Sequence, residues 1–182
     1  MKLSDAEREQ FFGIWARLLA YVNDMHHVSP KFGHPKNMET TAQEVSTPIR
    51  NKLWEDDSII DAYIASSPRM SDEEATILRL WKNRVEGKFV ILRHLKNYTV
   101  FFDMDSRIFG VRGLRHPLDA FYPDKILPIL VEAVLLPFKG KIIYDTLLTV
   151  YNIRIGGGLR KVFNDDYLKV KKESGIITQF AD

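Results

Sequence analysis

Two carboxylates spaced one residue apart, at the end of an apolar and aromatic run, are the first groups in this chain whose types could do chemistry: Val100-Phe101-Phe102-Asp103-Met104-Asp105-Ser106. In that spacing one carboxylate can act as nucleophile and the other as acid or base, with magnesium held between carboxylates. A second candidate is the set His26, His27 and His34, which shares a stretch with Pro30, Gly33 and Pro35. Neutral imidazoles ligate zinc or nickel. Adjacent histidines at a helix end point in different directions, however, and no spacing here matches a metal motif. A histidine near a helix C-terminus is already favoured by the dipole. The third candidate is Gly156-Gly157-Gly158-Leu159-Arg160-Lys161, glycine running into a helix. Free N–H groups at such a start can hold phosphate. The GxxxxGK[ST] and GxGxxG spacings are absent. Cations in a first turn oppose the dipole, and a bound anion would relieve that small cost. The plainer reading is a flexible exit from the sheet. Ser/His/Asp catalysis finds no GxSxG elbow, and His94 and His116 form no ordered triad with the serines. Phe101 and Phe109 could stack nucleobases, but core packing explains strand aromatics more simply.

The Asp103-x-Asp105 run resembles the first motif of the haloacid-dehalogenase-like phosphotransferases. That resemblance would imply an α/β fold in which the motif ends a parallel strand. Here Arg107-Ile108-Phe109 resumes a β pattern at once, and Asn164-Asp165-Asp166, which could mimic the distal acidic pair, falls in a predicted helix. The residues read better as a hairpin turn whose Asp side chains bond backbone N–H groups.

These residues need elements to position them. Ser4-Asp5-Ala6-Glu7 has the spacing of a capping box. Phe11, Ile14 or Trp15, Leu18, Val22 and Met25 then recur at helical spacing. A second helix is expected from about Thr41 to Ser46 onward. Within it Thr47-Pro48 has the pattern of an N-cap with proline at the first helical position. Asp57 or Ser58 caps a short third helix, and Ser71-Asp72-Glu73-Glu74, a second capping box, opens a fourth that carries Ala75, Leu78, Trp81 and Val85, with Gly87 at its C′ position. From Gly87 the pattern becomes β: strands are expected over 89–92, 98–102, 107–113, 129–136 and 141–148, the last extendable to 155. A final helix over 159–173 ends at Gly175. No βαβ rhythm and no internal repeat are present. The fold class is therefore α+β: N-terminal helices, then a small antiparallel β-sheet or barrel and a C-terminal helix. The expected organisation is a helical region over 1–86 and a β-rich region over 87–182, which could form one compact domain.

Bulk properties bound the function. Hydrophobic residues at 45% and charged residues at 27% place the 182-residue chain among ordinary globular proteins. It has no cysteine, which excludes disulfides and thiolate metal sites and suits a reducing cytoplasm. The start, Met1-Lys2-Leu3-Ser4-Asp5, lacks the apolar core of a signal peptide. The apolar stretch 126–138 is interrupted by Pro128, Glu132 and Pro137 and is too short to span a bilayer. A cytoplasmic, non-membrane protein is expected. Residues 1–86 carry 11 Lys and Arg against 14 Asp and Glu, a net −3; residues 87–182 carry 15 against 10, a net +5. The second half is thus the better candidate for an anionic partner.

Leu135-Leu136-Pro137-Phe138-Lys139-Gly140-Lys141-Ile142-Ile143-Tyr144-Asp145 resembles a segment that recurs in a family of uncharacterised bacterial proteins, some of which carry a C-terminal SEC-C metal motif. The resemblance implies no established activity and no catalytic residue. This chain has no cysteine, so that metal motif is absent. In the segment, Pro137 and Gly140 frame a turn between two strands.

The expectation is a non-enzymatic binding or interaction protein with no metal or cofactor, whose partner is a protein or a nucleic acid. Its contact surface would be basic and would carry Arg112, Arg115, Arg154, Arg160 and Lys161. The alternative is a metal-dependent hydrolase that assembles Asp103, Asp105 and a loop histidine.

Overall fold

The computed structural model describes residues 1–33 and 42–180. The chain divides into two compact units: Ser4–Lys82, which is helical, and Asn83–Asp182, which also takes in Met1–Leu3. The boundary therefore falls a few residues before the expected 86/87 position, because a strand already starts at Val85.

Among its described residues the helical unit holds four α-helices: α1 (Asp5–His26), α2 (Gln43–Trp54), α3 (Ser58–Ala65) and α4 (Asp72–Leu80). The Ser4 capping box forms as its spacing predicts: the Ser4 hydroxyl accepts from Glu7 N, and the Glu7 carboxylate accepts from Ser4 N at 3.0 Å. At α4 the Ser71 hydroxyl accepts from Glu74 N at 3.2 Å. Three local expectations fail. Neither Asp57 nor Ser58 caps α3 with its side chain; the Asp56 carboxylate accepts from Ser58 N at 2.8 Å. Pro48 lies inside α2 and not at its first position, since the helix already begins at Gln43. Gly87 is a strand residue, because α4 ends at Leu80 and a single 3-10 turn, Trp81–Asn83, leads straight into the sheet. Thr41 lies outside the described residues. The core of this unit is aromatic. Trp15 stands 5.7 Å from Trp81 and 5.8 Å from Trp54, and Phe11 stands 5.8 Å from Trp81, ring centre to ring centre. Edge-on rings at such separations add to the free energy of burying them.

The second unit is built on β1 (Val85–His94), β2 (Thr99–Asp103), β3 (Ile108–Val111), β4 (Ile129–Phe138) and β5 (Lys141–Val150), followed by α5 (Gly157–Glu173). The strands close into a ring in the order β1-β2-β3-β5-β4, with β4 returning to β1. The sheet is mixed and not wholly antiparallel: β3 and β5 run in the same direction and meet at the single pair Val111↔Ile142. Five is an odd number, so a closed ring of antiparallel hairpins must contain one parallel seam. The β4–β5 hairpin turns on Lys139 (φ 49) and Gly140 (φ 67). Two central residues with positive φ are the mark of a type I′ turn, whose twist suits the flanking strands.

Each strand near β2 has two buried faces. Across β1, β2 and β3 the register sets Ile91, Phe101 and Phe109 in one row and Val90, Phe102 and Ile108 in the next. Neighbouring rows point to opposite sides of a sheet. Phe89, two residues before Ile91 and so on the same face as the first row, lies 5.9 Å from Phe101 and 6.0 Å from Phe109. The second row packs with Val100, Ile155 and the α5 residues Phe163, Tyr167 and Val170. This explains why β2 and β3 are buried along their whole length. The Tyr167 ring is almost fully buried, and the Arg93 guanidinium sits 4.4 Å above its centre. Gly175, with φ 78, follows α5 and donates its N–H to Val170 O, as a glycine at C′ should. No helix among the described residues is long and apolar enough to cross a membrane.

If Tyr167 is what holds α5 to the sheet, Tyr167→Ala should lower the unfolding free energy by about 3 kcal/mol. Leu168→Ala, one residue on and exposed, should change it by less than about 0.5 kcal/mol. Urea unfolding followed by circular dichroism measures both, and equal small effects would contradict the packing described.

Candidate functional site

The Asp103-x-Asp105 pair lies in the β2–β3 turn. Asp103 is buried, and its carboxylate accepts from Asp105 N at 3.0 Å, from Arg107 N at 2.7 Å and from Arg107 Nε at 2.7 Å. The turn is closed by the bond from Asp103 N to Arg107 O at 3.1 Å. Asp105 is exposed, and its carboxylate meets the other end of the same guanidinium at 3.4 Å. A carboxylate with this many donors is engaged in shaping the hairpin. Asn164 bonds Arg93, while Asp165 and Asp166 lie exposed on α5.

The histidines are dispersed. His26 and His27 end α1 and are exposed, and His34 lies outside the described residues. His94 is held at both ring nitrogens: Nε2 lies 2.6 Å from Tyr122 O and Nδ1 lies 2.8 Å from the Thr99 hydroxyl. A carbonyl can only accept, so Nε2 carries a proton and donates it to Tyr122 O. His116 packs edge-on against Phe121 at 5.7 Å. Among the described residues no group of three or more His, Cys, Asp or Glu is arranged to hold a metal ion.

The five basic residues of the expected contact surface fall into two groups. Arg112 N bonds Ile142 O at 2.9 Å, at the start of β5, and Arg115 follows in the connection to β4. Arg154, Arg160 and Lys161 are exposed and come after the end of β5. Along the chain the length of β5 separates the two groups. In the second group the Arg160 Nε donates to Ile155 O at 3.1 Å. Val150, Ile153, Leu159 and Val162 interleave with these cations and are exposed by 45%, 58%, 55% and 52%. Residues 146–164 contain no Asp or Glu. Phe101 and Phe109 are buried, and Phe102 lies under α5, 6.4 Å from Phe163, so none of the three offers a face for a base.

Residues 144 and 145 form an interior polar site that sequence spacing does not mark. Asp145 is fully buried beside Tyr144. Burial, with Tyr122 and Asp145 nearby, pushes the Tyr144 hydroxyl far above its ordinary pKa. The next residue, Thr146, has φ 82, a strained value for a β-branched residue. It lies where β5 carries extra residues between the pairs Ala133↔Leu148 and Leu135↔Tyr144.

Sequence spacing also leaves unmarked a cavity of about 590 Å³ in the helical unit, lined by Arg17, Tyr63, Ser67, Pro68, Arg69, Met70 and Glu74. Its walls are the middle of α1, the end of α3, the following loop and the first turn of α4. No motif could have marked it, because its charged members come from three separate segments. No family model, no curated protein and no solved structure matches the chain.

Two predictions follow from this chemistry. Asp103→Ala leaves two backbone N–H groups and a guanidinium without their acceptor and should cost about 2–3 kcal/mol in urea unfolding, against less than about 0.5 kcal/mol for Asp105→Ala. Magnesium-dependent phosphatase activity that disappeared in Asp103→Asn would instead return the pair to catalysis. For Tyr144, the pKa is raised in the folded chain, so its contribution to stability is whole below the ordinary tyrosine value of 10.0 and is lost as pH rises above it. Stability measured by denaturant should fall on the alkaline side of pH 10, and Tyr144→Phe should make that limb shallower.

Proposed function

We propose that this chain is a non-enzymatic binding protein whose second unit, a small β-barrel capped by α5, engages an acidic protein partner through residues 150–162. The observation that carries the reading is the composition of that stretch: four exposed apolar side chains and three exposed cations with no carboxylate among them. Protein interfaces join apolar contacts at their centre to arginine, and a positive patch selects a negative one. A nucleic acid is the less favoured partner. Single-stranded nucleic acid needs aromatic faces for stacking as well as cations, and the strand aromatics are buried on both sides of the sheet. A hydrolase is less favoured still, because Asp103 already holds the β2–β3 turn. The proposal includes a cytoplasmic and bacterial setting. The absence of cysteine supports the first, and the likeness of residues 135–145 to the uncharacterised bacterial family supports the second. That segment forms the β4–β5 hairpin.

The test titrates two fluorescent probes at several salt concentrations: a peptide of mixed Glu, Asp and Leu, and a single-stranded oligoribonucleotide. The wild type should bind the peptide, and both Arg154→Ala/Lys161→Ala and Leu159→Ser/Val162→Ser should weaken it tenfold or more, while RNA stays in the nonspecific range of roughly 10⁻⁴–10⁻⁶ M. Tighter RNA binding with a log–log salt slope near −0.7 per contact would transfer the surface to nucleic acid. Peptide affinity unchanged in both variants would overturn the proposal.

A further inference from the structure

The cavity of the helical unit has features that the interaction surface does not explain. Its charged lining is two guanidiniums and one carboxylate, a net +1. These groups are not equivalent. Arg17 is paired with Glu74 through its terminal nitrogen. It also reaches Tyr63, whose hydroxyl it favours in the ionised form, while burial works the other way and leaves the Tyr63 pKa raised. The Ser67 side chain makes a further contact with the Tyr63 hydroxyl. The ion pair of Arg17 with Glu74 thus joins α1 to α4 beside Tyr63 and Ser67 and directs the Arg17 guanidinium. Arg69, by contrast, has no hydrogen-bond or ion-pair partner among the described residues.

The apolar lining is equally specific. The Tyr63 ring is buried and leans on Tyr21 at 5.1 Å between ring centres, which holds it in place. Pro68 and Met70 supply the remaining apolar surface. Methionine adapts its shape to whatever it meets. The volume falls within the range of sites that take small organic molecules. An oriented guanidinium, a second guanidinium with unused donors, two hydroxyls and a rigid aromatic wall together match one kind of ligand.

We infer that this cavity binds a small organic anion, with an aromatic or other flat apolar body against Tyr63 and Met70 and a single carboxylate or phosphoryl group held by Arg69 and Arg17. A guanidinium meets either group with paired N–H donors. The single net positive charge fits one anionic group. Cations are disfavoured, because Glu74, the carboxylate they would seek, already holds Arg17.

The experiment uses the full chain and four probes: benzoate, phenyl phosphate, inorganic phosphate and benzylamine. Binding is followed by backbone amide NMR shifts and by calorimetry at millimolar probe. Benzoate or phenyl phosphate should bind, with shifts confined to residues around 17 and 63–74, and the stronger of the two identifies the anionic group. Inorganic phosphate should bind more weakly than phenyl phosphate, since it lacks the apolar body. Benzylamine should not bind. Arg69→Ala should weaken the preferred probe tenfold or more, the loss expected for a hydrogen bond to a charged group. Arg69 is exposed and makes no ion pair among the described residues, so this variant should leave the unfolding midpoint unchanged. Arg69→Lys should restore part of the affinity. The inference is overturned if neither aromatic anion binds, if benzylamine binds as well as they do, if the shifts map to α5, or if affinity is unchanged in Arg69→Ala.

Discussion

A closed ring with an odd number of strands cannot alternate direction all the way round, and the second unit is organised around that constraint. The four hairpin-like pairings leave one junction where neighbours run the same way, between β3 and β5. This seam is short. Past Val111, the edge of β3 that faces β5 has Ile108 O and Gly110 N still to satisfy. Ile177, just after α5, takes both: its N–H donates to Ile108 O at 2.8 Å, and its carbonyl accepts from Gly110 N at 2.8 Å. Closing the ring therefore exposes an edge, and filling that edge anchors the chain at the end of α5. With one end pinned, α5 lies across the sheet with Tyr167 and Phe163 on the row of Val90, Phe102 and Ile108. The burial of that sheet face is thus tied to strand parity as well as to hydrophobicity.

Local signals in the sequence were well obeyed. The Ser4 and Ser71 caps, the Asp103 turn and Gly175 all depend on residues within four or five positions of one another, and such interactions can be read directly. The β4–β5 turn falls where expected, but Pro137 is a strand residue and Lys139 and Gly140 make the turn. Features set by distant residues could not be read in this way. The parallel seam joins residues 111 and 142, and no periodicity encodes which strand closes a ring. Gly87 looked like a helix stop because glycine serves both there and within strands, and only the ring decides which applies. Pro48 sits inside α2, where tertiary packing of Ile49, Leu53 and Trp54 keeps the helix going on either side of it.

The candidate sites divide along the same line. Of the five cations read from the sequence, Arg154, Arg160 and Lys161 stay together because they are neighbours in the chain, while Arg112 and Arg115 are carried to the other end of β5. The cavity that gathers Arg17, Tyr63, Arg69 and Glu74 was not legible at all, since α1, α3 and α4 contribute to it from widely separated positions. Conversely, the most enzyme-like motif in the sequence proved to be architectural. A carboxylate suited to metal or nucleophilic work is equally suited to holding two backbone N–H groups and an arginine, and only the arrangement around it distinguishes the two.

The first three residues belong to the β unit although the helical unit follows them directly. Lys2 pairs with Gly113: Leu3 N donates to Gly113 O at 3.0 Å, and Gly113 N donates to Met1 O at 3.1 Å. A side chain at position 113 would collide with His116 O, so the glycine is what allows the connection to fold back there. Synthesis runs from the N-terminus, and domains fold as they emerge. Residues 1–3 must then wait while all of α1 to α4 and three strands are produced. The helical unit has every one of its own residues in hand by Lys82, whereas the ring cannot accept its earliest segment until Gly113 has left the ribosome. The helices between can therefore be finished while residues 1–3 still wait for Gly113.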